Sequence, residues 1–218
     1  MCHTVSSFSF LLCTLLFSLF DNMNTDRQQL QLIERLNARC SFPVFTPERT
    51  CIEIKSVSFY THFRLLKATA FNTIPPVTMH FLIDEDNQVV KLDGTNEPIL
   101  KNNARGGLIL NENTVVAYTR FILDAVQTEQ GSLRLVEHFQ EDEIITSTPT
   151  PQHLELLRDN IRPTHVATTP QGFLLDAIIL YGDTMFQADI FVEPDGNLCF
   201  RSETPIAEHL PIRPILLE

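Results

Sequence analysis

Residues 185–201 read MFQADIFVEPDGNLCFR. Phe186, Ala188, Ile190 and Val192 alternate here with the polar Gln187 and Asp189. A period of two is that of a strand with one face turned to a core. Asp195-Gly196 follows, the pair that a tight hairpin favours because glycine accepts positive φ at no steric cost. The chain then resumes as LCFR, an extended segment. This stretch is a hairpin, and it commits the chain to antiparallel sheet.

An earlier stretch has the same form. In VTMHFLID, Val77, Met79, Phe81 and Ile83 point one way and Thr78, His80 and Asp84 the other. A turn, EDNQ, and a short strand, VVKL, follow. Both hairpins lead to a Pro-Ile pair, Pro98-Ile99 and Pro205-Ile206. Both are preceded by an amphipathic helix, QLQLIERLN at 29–37 and QHLELLRDN at 152–160. Thr150 stands where an N-cap belongs, with Pro151 at the first helical position. The expectation is an α+β fold of two similar helix–strand–hairpin units packing antiparallel sheet against helices. Residues 23–145 form the first unit with a connecting helix and strand, and 146–218 form the second. Such units resemble cystatin-like or nuclear-transport-factor-like folds in outline, and folds of that shape host many functions.

Between hairpin and repeat, the periodicity of Val115, Val116, Tyr118, Phe121, Ile122 and Ala125 predicts a helix over about 112–127. The segment 98–110, containing KNNARGG, reads as loop. IEIKSVSFYTHFRLLKATAF at 52–71 reads as one long extended stretch, GFLLDAIILYGD at 172–183 as its counterpart, and LRLVEHF as a short strand.

The 218 residues are 44% hydrophobic and 20% charged, which places the chain among globular proteins. The net charge of −11 is unevenly spread. Residues 23–110 carry 10 basic and 9 acidic side chains, whereas 111–218 carry 6 and 17. An acidic second half repels phosphate backbones, so nucleic acid is disfavoured as a partner, while a basic protein surface is not.

Residues 7–20, SFSFLLCTLLFSLF, form an apolar run too short for an ordinary membrane span. Three readings of 1–22 stand open: a misassigned start with translation beginning at Met23, a signal peptide, or an anchor or core segment. The first makes the protein cytoplasmic, and the second exports it. The flanks lack both a basic residue before the run and a small-residue cleavage site after it. Beyond the leader remain Cys40, Cys51 and Cys199, an odd number without a CxxC. That indicates neither a disulfide framework nor a zinc ribbon. Cys40 and Cys51 pair only if the protein is exported, and Cys199 reads as a buried strand thiol.

No metal-ligand spacing, nucleophile elbow or phosphate-binding glycine loop occurs, so no cofactor and no metal are expected. The histidines are dispersed: His62, His80, His138, His153, His165 and His209. The weak catalytic candidates are His62, His80 and Asp84, since two histidines on neighbouring strands beside a carboxylate could move a proton or bind a metal. Asp84 and Asp86 echo a calcium loop, but Val89 and Thr95 stand where it needs Gly and Glu. Arg105-Gly106-Gly107 could contact an anion or serve as a connection. Glu141-Asp142-Glu143 reads as a solvated charge run. Asp176 and Asp189 each interrupt an apolar strand, and need partners only if both sheet faces are covered.

The reading that results is a non-catalytic module binding a protein or small molecule. A small enzyme with a site assembled from isolated histidines and acids is the alternative, and an exported envelope protein is another. Open antiparallel edges also allow a homodimer.

Overall fold

The computed structural model describes residues 27–129, 131–139 and 149–212. The 1–22 leader, with Cys2, Cys13 and the Met23 start, lies outside the described residues, as does Glu141-Asp142-Glu143. The fold is α+β, with two antiparallel sheets and four helices among the described residues.

The first helix, α1, covers 27–37. Ile33 and Leu36, one turn apart, are buried against the first sheet. Asn37 ends the helix and fastens the proline-bearing loop behind it. Its Oδ1 accepts from the Val44 and Phe45 amides, both at 2.9 Å, and its Nδ2 donates to the Phe45 carbonyl at 2.8 Å. The chain then forms a four-stranded meander: β1 (Thr50–Ser56), β2 (Arg64–Ala70), β3 (Val77–Ile83) and β4 (Val89–Lys91), each antiparallel to the next. The expected alternation in β3 holds. Phe81 and Ile83 pack with Leu66, Ala68 and Ala70 of β2 under α1, while Leu82 joins the opposite core. The long extended stretch, however, is two strands. Phe59, Tyr60 and Phe63 in the connection turn inward and are buried, so burying three rings breaks the strand at 57–63.

The segment expected to be loop is helix α2 (Glu97–Gly106). Its Asn and Gly residues have poor helix propensity. Tertiary contacts override that: Ile99, Asn103 and Gly106 are buried, Pro98 sits in the first turn, and Gly107 closes the helix at φ +64°. Helix α3 (Val115–Ala125) follows, then a small ribbon of β5 (Gln127–Thr128) and β6 (Gly131–Ser132), and the short strand β7 (Arg134–Val136).

Helix α4 (Pro151–Asn160) begins as the sequence indicates, with the Thr150 hydroxyl accepting from the His153 amide. Then come β8 (His165–Thr169), β9 (Gly172–Tyr181), β10 (Thr184–Val192) and β11 (Leu198–Ala207), again each antiparallel to the next. Strand β8 was not anticipated from the sequence. Strand β7 pairs with β9 on the same edge as β8, nearer its C-terminal end.

A helix followed by a four-stranded meander thus occurs twice. The order alone does not make the two copies of one unit, since β9 and β10 are longer than their counterparts and, among the described residues, only the second sheet recruits an extra strand. Among the described residues, three cores hold the fold. One lies between α1 and the first sheet. A central one joins the other face of that sheet with α2, α3 and one face of the second sheet. A third packs α4 and the chain near Leu210 on the second sheet's remaining face.

Candidate functional site: the open half of the second sheet

The third core fixes where a site can form. Ile178 and Leu180 of β9 and Met185 of β10 lie under α4 with Leu157 and Leu210. Moving along the same face by steps of two leads to Asp176 and Leu174 on β9, and to Gln187, Asp189 and Phe191 on β10. The third core does not extend to these positions. The tight turn Gly182-Asp183, with Tyr181 opposite Thr184, sets the register and places Asp176 directly across from Asp189. Pairing continues to both sides, with His165 of β8 opposite Asp176 and Ser202 of β11 opposite Asp189. One polar row therefore crosses four adjacent strands.

Two like charges directly opposite destabilise a sheet unless they are answered. Nη2 of Arg162, on the segment leading out of α4, donates to both oxygens of Asp176 at 2.9 and 2.8 Å. Nε2 of Gln187 donates to the same carboxylate at 3.0 Å. The Ser202 hydroxyl donates to Oδ2 of Asp189 at 2.6 Å. Beside the row, the Arg201 guanidinium lies 4.8 Å from the centre of the Phe191 ring, a cation–π contact that covers this apolar residue. Asp176 and Asp189 are half-buried, and His165, Gln187 and Ser202 are exposed. The face therefore presents hydrogen-bonding groups of both kinds, two carboxylates and an aromatic edge, supported by a rigid sheet. It can bind polar and cationic groups. Among the described residues, no three His, Cys, Asp or Glu side chains are gathered as metal ligands anywhere.

The sequence candidates fall elsewhere. Asp84 starts the β3–β4 turn, where its Oδ1 accepts from the Gln88 amide at 2.7 Å and its other oxygen pairs with Arg105. His62 lies in the β1–β2 connection, its amide donating to the Gly106 carbonyl at 3.0 Å and its ring against Gly107. Both thus meet the C-terminal end of α2. His80 stands four residues back along β3, about 13 Å from Asp84 at the usual rise per residue, opposite Lys67. Burial, and secondarily Lys67, lowers its pKa below 6.5. The carboxylate of Asp84 is engaged in turn closure and an ion pair. The Arg-Gly-Gly segment is the end of a helix, with Arg105 5.4 Å from the centre of the Phe63 ring. Asp86 directs its carbonyl to Arg35 at 2.6 Å.

Among the other histidines, His138 is exposed, His209 lies 3.2 Å from Asp183, and His153 sits at the start of α4 with a buried Nδ1 that has no hydrogen-bond partner among the described residues. The three described cysteines are free, and Cys199 is exposed on β11 rather than buried as expected. Sequence reasoning singled out Asp176 and Asp189 but missed the roles of Arg162, Gln187 and Ser202. The Gly-Asp turn was the available signal, because it fixes which residues face each other. No helix among the described residues is long and apolar enough to cross a membrane. Comparison of the chain with protein-family profiles, curated proteins and solved structures finds no match to any of them.

Proposed function

We propose that the protein is a non-catalytic binding module whose open half-sheet receives a basic segment of a partner protein. The observation that carries this reading is the polar row of His165, Asp176, Asp189 and Ser202 on a face that α4 covers only in part. Rigid strands hold two half-buried carboxylates side by side, and the 111–218 half contributes a surplus of acidic residues that would draw in a cationic partner. The Asp189 carboxylate faces a serine hydroxyl, whereas Asp176 already has Arg162, so Asp189 is the stronger anchor for an incoming Lys or Arg. Neither nucleic acid nor a resident cofactor is part of this reading.

A photo-crosslinking amino acid placed at the exposed position 202 of the full chain, in its native host, tests it. The expected result is a discrete adduct with one protein that is lost in the Asp189→Asn variant and weakened by salt. Adduct formation unchanged by Asp189→Asn, or none at all, would overturn the proposal.

A further inference from the structure

The outer edge of β1 is unpaired among the described residues. The Phe71 amide donates to the Arg49 carbonyl, and residues 49 and 71 extend the β1–β2 register. Alternation along an antiparallel ladder then aims the backbone groups of Cys51, Glu53 and Lys55 at β2. Those of Thr50, Ile52, Ile54 and Ser56 point away from the sheet. Among the described residues no strand pairs with this edge. It runs seven residues with neither a proline nor a bulge. The other sheet edges are blunted: β4 has three residues, β7 three and β8 five, and β11 carries Pro205, Arg201 and Glu203 with two register shifts beside it. An unprotected edge of this length is a template for another strand.

The side chains name that strand. Outward groups can pair with outward groups across a two-fold axis only in alternate registers. Centred on Glu53, the pairing sets two carboxylates face to face, and centred on Lys55 it sets two ammonium groups face to face. Centred on Ile54, it places Glu53 opposite the partner's Lys55 and Lys55 opposite the partner's Glu53. Ile54 then meets the partner's Ile54, covering a large apolar side chain that is 39% exposed in one chain. We propose that two copies of the chain associate through antiparallel β1–β1 pairing about Ile54, joining the two first sheets into one of eight strands. Three hydrogen-bonded residue pairs form, with Ile52 against the partner's Ser56 on either side of the central isoleucines. The second sheet and its polar face are left free.

Sedimentation of the full chain across a concentration series reads this out, with circular dichroism checking that each variant is folded. Glu53 and Lys55 are exposed, and Lys55 lies opposite Leu65 of β2, so K55E leaves the monomer intact, whereas E53K also brings a second positive charge opposite Lys67 of β2 and is read only against its own folded stability. The wild type is expected to dimerise. E53K or K55E alone opposes like charges at two symmetric places and weakens the dimer about tenfold at low salt. The E53K/K55E double variant restores it. Ile54→Pro removes an outward amide without breaking a β1–β2 hydrogen bond and is expected to give a folded monomer. A wild type that stays monomeric, or single and double charge variants that behave alike, would overturn the proposal.

Discussion

Gly196 joins the two halves of the molecule. Tyr60 donates to Oδ1 of Asn103 at 2.5 Å, and Asn103 donates to the Tyr118 hydroxyl and to the Asp195 carbonyl at 2.7 and 2.8 Å. Tyr118 in turn donates to the Gly196 carbonyl at 2.9 Å. Asn103 and both tyrosines are buried, so each polar atom in the network depends on its partner, and leaving one unmet costs about 1–3 kcal/mol. Burial pushes the Tyr60 hydroxyl far above its ordinary range, which keeps it a donor. A Cβ at position 196 would lie 2.1 Å from the Tyr118 hydroxyl and 2.4 Å from the Asn103 amide, at a φ of +91°. Gly196→Ala is therefore expected to destabilise the fold by roughly 3 kcal/mol or more in urea titration, combining backbone strain with a broken network. The Asp-Gly pair is readable in the sequence as a turn. The need for a bare Cα came from side chains 78 and 93 residues away, and nothing local announces them.

At the level of elements, α4 shows what propensity and capping accomplish and where they stop. Thr150 caps it, Pro151 opens it, and Leu157 alone is fully buried among its residues. Thr150→Ala is expected to cost about 1 kcal/mol, measured as a lowered denaturation midpoint, because one first-turn amide loses its acceptor. Helix α2 teaches the opposite lesson. KNNARGG looks like a connection, since Asn and Gly disfavour helix. The buried Ile99 and the anchored Asn103 hold it helical, and the left-handed Gly107 is a stop signal that reads equally well as a loop. The β1–β2 break is a further case. Phe59, Tyr60 and Phe63 have high strand propensity, yet the central core takes all three rings by folding the chain there.

For the whole molecule, the shared central core makes stability a joint property of both sheets, and two half-buried ionisable groups tie it to pH in opposite senses. Asp124 on α3 has its pKa pushed up to about 6 by burial, against the attraction of Arg120 and Arg134. Its folded value lies above the unfolded 3.8, so its contribution is fully present below that value and is lost as pH rises through about 6. His80 has its pKa lowered below 6.5 by burial and then by Lys67, so stability is lost as pH falls through that lowered value. Thermal denaturation from pH 4 to 8 checks both. Asp124→Asn should gain about 2 to 3 kcal/mol relative to wild type between pH 4 and pH 7. His80→Gln should lose less stability than wild type when acidified below pH 6.5. Equal pH profiles for variant and wild type would contradict either assignment.

What the sequence determined by itself is whatever short-range physics controls. The period of two in β3 and β10, the Asp-Gly turn and the capped amphipathic helices required antiparallel sheets with helices packed on them. The Gly-Asp turn even contained the register that opposes Asp176 and Asp189. The tertiary structure alone decided which faces are covered. That Asp176 meets Arg162, that Asp84 is held by Arg105, and that KNNARGG is a helix depend on contacts between distant segments. Burial of a face is set by the element that comes to lie against it, and no residue encodes that within its own neighbourhood.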